Sequence, residues 1–430
     1  MSSAETDPNR HPIRIVILVV MAGCLIGMLS FGLRSTFGLF LEPISSANAW
    51  PRETFAVSLA VQNLLIGLFA PISGAVADRL GARKALTIGA LLYAGGIWGI
   101  PQADAPILMM FFAGIMVGVG VSFTTFSVSL SAMVKFVGPE RRSFVLGLGT
   151  AVGSFGQVLF TPLGQAFITN YGWQSALYIL AVTALAIIPA AFLIPASNSK
   201  QAAADQVQQT MSSALSEAAG HRGYLLVISG FFVCGFHVAF ISIHFPAFVQ
   251  DSGLSPQTGA FALAIVGLFN IVGSFCSGLA GQRWSKKRGL SVLYFCRAVA
   301  ITLLILAPKT ELTIYLFAAV MGLLWLSTIP LTSGIVAQIF GVRYMATLFG
   351  IVQLSHQTGA FMGAWLGGRF YDLTGSYDTV WWIAVALGLF AALVHIPINE
   401  KPIERKQEAP SPCSTNSLKC HLQRGVADII

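Results

Sequence analysis

Over 430 residues the chain is 55% hydrophobic and only 10% charged, with a mean hydropathy of +0.75. That is too little charge to cover a soluble protein of this length, and the apolar residues come in runs of about 20, enough to cross a hydrocarbon core about 30 Å thick. The formal charge of +8 would suit nucleic acid, but its placement along the chain assigns it to membrane insertion instead.

Twelve spans are expected, near residues 15–41, 54–76, 85–101, 106–134, 144–168, 174–195, 223–248, 258–281, 289–308, 312–337, 346–368 and 379–398, which makes the chain an all-α polytopic membrane protein. Residues 1–14 form a short N-terminal segment. The first apolar run is too long for a signal-peptide core and lacks a cleavage site, so it reads as a retained span. With the N-terminus inside, Arg52, Lys309 and Arg369 fall outside and Arg34 and Arg297 fall within spans. Every other Lys and Arg of the 25 then faces the cytoplasm. This is the positive-inside asymmetry, and it places both termini in the cytoplasm. The membrane expected is a plasma membrane, a bacterial inner membrane.

Span 1 carries Arg34. A guanidinium in hydrocarbon costs at least a few kcal/mol, so it faces a bundle interior or a water-filled cavity, or it snorkels to the surface. Its planar fork suits capture of a carboxylate through two parallel hydrogen bonds. Glu42, eight residues on, is too far along a helix for a direct pair. Span 2 holds the amides Gln62 and Asn63 and ends in the basic turn Gly74-Ala-Val-Ala-Asp78-Arg79-Leu-Gly81-Ala-Arg83-Lys84. Span 5 holds Gln157. Residues 15–195 thus make a first six-helix bundle, and the polar stretch 196–222 reads as a cytoplasmic linker.

Span 7 places His237 and His244 seven residues apart, on nearly one helix face. Each can bond a carboxylate or take up a proton near neutral pH, or it can sit neutral against a backbone carbonyl. Span 8 carries Asn270, and the turn after it reads Gly278-Leu-Ala-Gly-Gln282-Arg283-Trp-Ser-Lys286-Lys287-Arg288. Arg297 lies about 10 Å into span 9, placed for snorkelling or a structural hydrogen bond. Gln353 and His356 share a face of span 11. For any single buried amide, an interhelical hydrogen bond competes with ligand binding as the explanation. Residues 223–398 make the second bundle and 399–430 a polar cytoplasmic tail.

The 17 Asp and Glu fall in loops, tails or span ends, so a buried-carboxylate proton relay is not available. Coupling to a proton would fall to a histidine, to a boundary acid such as Glu42 or to the substrate. The alternatives are uniport and exchange against a counter-anion. Cys24, Cys234, Cys276 and Cys296 lie in spans and Cys413 and Cys420 in the tail, without metal-site spacing, so neither disulfide, metal nor cofactor is expected.

The halves repeat each other. Gly74 falls on Gly278 and Arg79 on Arg283 at an offset of 204. At 203, Gly147, Gly156, Gly164 and Gly172 fall on Gly350, Gly359, Gly367 and Gly375. An even number of spans separates the copies, so both run in one sense across the bilayer, a pattern of transporters built from two similar bundles. The same offset lays His237 over Arg34.

On these residues the chain resembles the major facilitator superfamily, whose signature turn is nearly complete at Gly74, Asp78, Arg79, Arg83 and Lys84. Three stretches, SFGLRSTFGLFLEPI, GFHVAFISIHFPAFVQDSG and GAFMGAWLGGRFYDLTGSY, are similar to its monocarboxylate-transporter and oxalate/formate-exchanger branch. The resemblance implies twelve helices in two pseudo-symmetric bundles, with spans 1 and 7 lining a central cavity. It also implies a substrate-pairing cation at Arg34 and an inner gate built on Gly74, Asp78, Arg79, Arg83, Lys84 and, more weakly, Arg283. Asn270 and Ser274 stand where that branch carries an Asp and an Arg, and Gly114 stands where drug antiporters carry an Arg.

The expectation is a monomeric secondary transporter of a small organic anion, a monocarboxylate. Its site would draw on Arg34, His237, His244, Gln353, His356, Asn270 and Gln62. The alternative is an exporter of neutral or hydrophobic compounds in which Arg34 is structural. The chain carries no HExxH or GxSxG motif and no signalling domain, which argues against an enzyme or a sensor.

Overall fold

The computed structural model describes residues 12–124, 128, 133, 142–195, 211–341 and 345–403, without the side chains at 78, 79, 142–144, 146, 147, 150, 345 and 346. The expected N-terminal segment up to residue 11, linker residues 196–210 and the tail from 404 lie outside the described residues.

Span 1 is Ile13–Ser35, prolonged by a 3-10 turn at Phe37–Phe40 and the helix Leu41–Asn48. Span 2 is Arg52–Leu80 and span 3 Ala82–Gly99. Span 4 contains Pro106–Met109, a π-helical turn Met110–Met116 and Val117–Thr124. Spans 5 and 6 share one run, Arg142–Leu185, that folds back at Gly172 (φ 79°, ψ 160°) and is followed by Ile187–Phe192. Within the expected linker, Met211–Gly220 is helical. Spans 7, 8 and 9 are Arg222–Asp251, Pro256–Arg283 and Lys286–Leu306. Span 10 is broken into Glu311–Leu324 and Thr328–Phe340, and spans 11 and 12 are Met345–Thr374 and Asp378–His395.

Among the described residues nine stretches are long and apolar enough to cross a membrane. One of them, Ala151–Phe192, is the folded-back pair of spans 5 and 6. Spans 3 and 11 complete the twelve. Span 3 opens with Arg83 and Lys84, and span 11 carries Gln353, His356 and Gln357, which dilute their hydropathy.

The glycine repeat has a packing cause. In lipid, helices associate by close backbone approach at small residues. A methyl added to Gly32 or Gly156 would collide with the facing helix where spans 1 and 5 cross. Gly235 and Gly359, 203 residues on, do the same for spans 7 and 11. The fold-back glycines repeat as well: Gly172 and Gly375 both have φ in the left-handed region, at 79° and 71°, which other residues adopt only with strain.

The halves meet along spans 1/7, 2/11 and 5/8, and most tightly at the end opposite the termini. There a side chain on Gly38 would collide with the Ser242 carbonyl, and one on Gly368 would come within 2.8 Å of Glu53 and Ala56. Near the terminal end, Gly74, Gly278 and Gly350 have nothing among the described residues within 4 Å of where a β-carbon would sit.

Candidate substrate site and gates

Arg34 lies on span 1 close to where it crosses span 7, and its partners belong to the first half. Its guanidinium donates to Asn63 Oδ1 of span 2 in a short hydrogen bond, and Asn63 Nδ2 donates to the Leu59 carbonyl at 2.8 Å. Tyr93 of span 3 flanks it, its hydroxyl donating to the Ser30 carbonyl at 3.3 Å. One turn beyond Arg34, Gly38 abuts span 7. One turn beyond Asn63, Gly67 faces the Gln357 side chain of span 11, which a β-carbon would approach to 2.9 Å. Arg34 is half-buried, and no acid pairs with it among the described residues.

The histidines take other places. His237 is fully buried, and its Nε2 lies 2.8 Å from the Ala384 carbonyl of span 12, so that nitrogen carries a proton and donates. The structure does not bring it together with Arg34. The repeat sets where the backbones cross, and a short imidazole bonds the nearest backbone carbonyl. His244 is also fully buried. Its Nε2 donates to the Ala364 carbonyl at 2.7 Å, and its Nδ1 accepts from the Tyr377 hydroxyl at 3.4 Å. His356 packs on Phe231, with ring centres 4.9 Å apart. Its neighbour Gln357, one turn from Gln353 on the same face, meets span 2 instead.

The amides stitch helices together. Gln62 donates to the Ala113 carbonyl at 3.0 Å, within the π-helical turn of span 4, where widened pairing disturbs the backbone ladder. Gln157 donates to the Leu263 carbonyl at 2.9 Å across the halves. Asn270 donates to Ser154 Oγ at 3.2 Å and accepts from Ser274 Oγ at 3.1 Å and the Leu326 backbone N–H at 3.0 Å.

Arg297 serves the break in span 10. It is fully buried, 5.3 Å over the Tyr294 ring, and donates to the Leu324 carbonyl at 2.6 and 3.2 Å and to the Trp325 carbonyl. Ser277 Oγ donates to the Ser327 carbonyl. Backbone groups freed inside a membrane must find partners, and here side chains of spans 8 and 9 supply them. Of the two roles expected for Arg297, the structure realises the structural hydrogen bond.

Of the expected gate, Arg83 donates to the carbonyls of Phe192 (3.1 Å) and Ile194 (2.9 Å), which ties span 3 to the end of span 6 within one half. Lys84 and Arg283 are exposed, and the side chains of Asp78 and Arg79 lie outside the described residues.

A cross-half latch at the opposite end went unread in the sequence. Arg52 grips Asp251 through both terminal nitrogens at 2.6 and 2.8 Å, donates to Tyr377 Oη at 3.0 Å and lies 4.0 Å over the Tyr371 ring. Asp372 caps span 2 by accepting from the N–H groups of Arg52 (3.1 Å) and Glu53 (2.7 Å). Glu53 in turn accepts from Trp365 Nε1 at 2.9 Å and pairs with Arg369 at 3.2 Å. Burial raises the Tyr377 hydroxyl above its ordinary value against the pull of the Arg52 cation, so it stays protonated and keeps a proton to donate to His244. The available signal was compositional: two of the few outer basic residues, Arg52 and Arg369, accompany the outer acids Glu53, Asp251 and Asp372.

Twelve helices in two glycine-crossed bundles that meet around a seam define an integral membrane transporter of the major facilitator fold. The chain belongs to the Major Facilitator Superfamily, whose profile matches residues 23–328 and 262–426. It is similar to the uncharacterized MFS-type transporter YcxA of Bacillus subtilis (strain 168), at 24% identity over 92% of this chain and 97% of that protein. Monocarboxylate transporter 13 of Rattus norvegicus is 25% identical over 89% of this chain and 88% of its own length, so the chain stands close to the monocarboxylate-transporter branch. Among solved structures it resembles a D-xylose–proton symporter (TM-score 0.70, 15% identity, 91% of this chain, 99% of that one). A bacterial homologue of the human lysosomal transporter Spinster, inward-facing and occupied, is equally similar in fold (TM-score 0.70, 13% identity, 88% and 95%).

Proposed function

We propose that the protein is a secondary transporter of a small monocarboxylate, with Arg34 as the carboxylate clamp. The observation that carries this reading is a half-buried guanidinium one turn from the crossing of spans 1 and 7, held by one neutral amide and paired with no acid among the described residues. A carboxylate supplies the missing countercharge through two parallel hydrogen bonds. Asn63 orients the guanidinium, and Gln353 and Gln357 offer amides from the facing helix. One cation surrounded by apolar helices suits one carboxylate on a partly apolar body. The monocarboxylate-transporter relatives support the substrate class.

Transport proceeds by rocking of the bundle 15–195 against the bundle 223–398 about the seam, with 196–222 as the tether, in a plasma membrane with both termini cytoplasmic. The contacts at the end of the Arg52 latch and the open surroundings of Gly74, Gly278 and Gly350 support reading this state as inward-facing. In the opposite state Gly74, Asp78, Arg79, Arg83, Lys84 and Arg283 would close the inner face.

A thermal-shift screen of the purified protein against monocarboxylates, dicarboxylates and neutral analogues tests the substrate class. A ligand at 100 times its Kd stabilises by about 2.7 kcal/mol, so a monocarboxylate substrate gives a concentration-dependent rise in Tm. Shifts with neutral compounds alone would replace this reading with the neutral-compound exporter.

A further inference from the structure

Spans 8, 9 and 10 enclose a groove of about 680 Å³ on the flank of the second half. Its floor is made of small residues, Gly273, Ser277 and Gly281, and its mouth is formed by Trp284 and Arg288 at the end that bears the termini. From Gly273 to Trp284 the groove runs about 16 Å along the helix, close to one leaflet of a 30 Å hydrocarbon core. Val292 on its wall is 60% exposed and Trp284 at its mouth 73%, as expected for a surface facing lipid with an aromatic at the interface.

Of the cations in this turn, Arg288 is the one that lines the groove. Lys286 Nζ donates to Gln338 Oε1 at 2.8 Å and Lys287 Nζ to the Ile396 carbonyl at 3.0 Å. Glu400 is held by Ser285 Oγ at 2.8 Å and the Lys287 N–H at 2.7 Å. Arg288 is exposed and has no ion-pair partner among the described residues, so it presents a free cation above an apolar channel. We propose that this groove binds one anionic phospholipid, its acyl chain lying along Gly273–Gly281 and its phosphate on Arg288. The juxtaposition of a leaflet-length apolar channel, an interfacial tryptophan and a free cation recognises that class and disfavours a zwitterionic lipid. The lipid would lie against Ser277, which holds the Ser327 carbonyl at the break in span 10.

The test is native mass spectrometry of the full chain with phosphatidylglycerol or phosphatidylcholine of matched acyl chains. The wild type retains phosphatidylglycerol about fivefold better, the expected effect of one basic side chain near a lipid surface. Arg288→Gln removes the preference, and Cys276→Phe, which fills the groove from its exposed wall, lowers retention of both lipids. Both variants keep the thermal unfolding of the lipid-free protein. Inorganic phosphate leaves the lipid bound. Equal retention of the two lipids by the wild type, a preference that survives Arg288→Gln, retention unchanged in Cys276→Phe, or displacement by inorganic phosphate would overturn the proposal.

Discussion

Arg34 was legible from the sequence because a cation in hydrocarbon needs a reason to be there. Its neighbours were not. One residue along a helix turns the side chain by about 100°, so whether His356 or Gln357 meets span 2 depends on the rotation of span 11. The structure gives that place to Gln357, which lies against Gly67. Gln357→Leu should therefore lower carboxylate uptake about tenfold, the worth of one hydrogen bond to a charged group, in initial-rate measurements on proteoliposomes. His237→Leu should act differently. It removes the second hydrogen bond to the Ala384 carbonyl, which keeps its partner within span 12, so it costs about 0.5–1.5 kcal/mol and lowers the unfolding temperature with an unchanged KM. A raised KM in His237→Leu would return that residue to the substrate site.

At the scale of elements, the break in span 10 shows why Arg297 is tolerated at full burial. The break was readable in part: Pro330 falls in the first turn of Thr328–Phe340, where a missing N–H is harmless, and helices tend to stop just ahead of such a residue. What could not be read was that a guanidinium on span 9 reaches the carbonyls of Leu324 and Trp325 while Asn270 on span 8 takes the Leu326 N–H. Such pairings depend on which helices are neighbours, and local pattern does not carry that. Arg297→Met should destabilise the protein by at least about 2 kcal/mol, read as a lower detergent-denaturation midpoint, because two carbonyls lose their donor inside the membrane. Equal midpoints would mean that water reaches the break.

At the scale of the whole molecule, the repeat made the two-bundle architecture legible, because glycine spacing records where helices cross. It did not reveal the latch, whose partners Arg52 and Asp251 lie 199 residues apart at the ends of spans 2 and 7, because the repeat aligns each half with the other and does not say which ends pair across them. Arg52→Gln should loosen the outer end. Spin labels at Ala47→Cys and Gln257→Cys, on exposed outer positions of the two halves, should then report a longer distance population than in the parent. Gly38→Leu should bar outer closure by collision with Ser242, arresting uptake while leaving carboxylate binding intact.

The central claim is that Arg34 clamps a carboxylate, and uptake of a labelled monocarboxylate into proteoliposomes by Arg34→Gln and Arg34→Lys tests it most directly. With equal reconstitution, Arg34→Gln should abolish uptake, and Arg34→Lys should retain a fraction, since an ammonium keeps the charge without the fork. Uptake by Arg34→Gln at the parent rate would contradict the account.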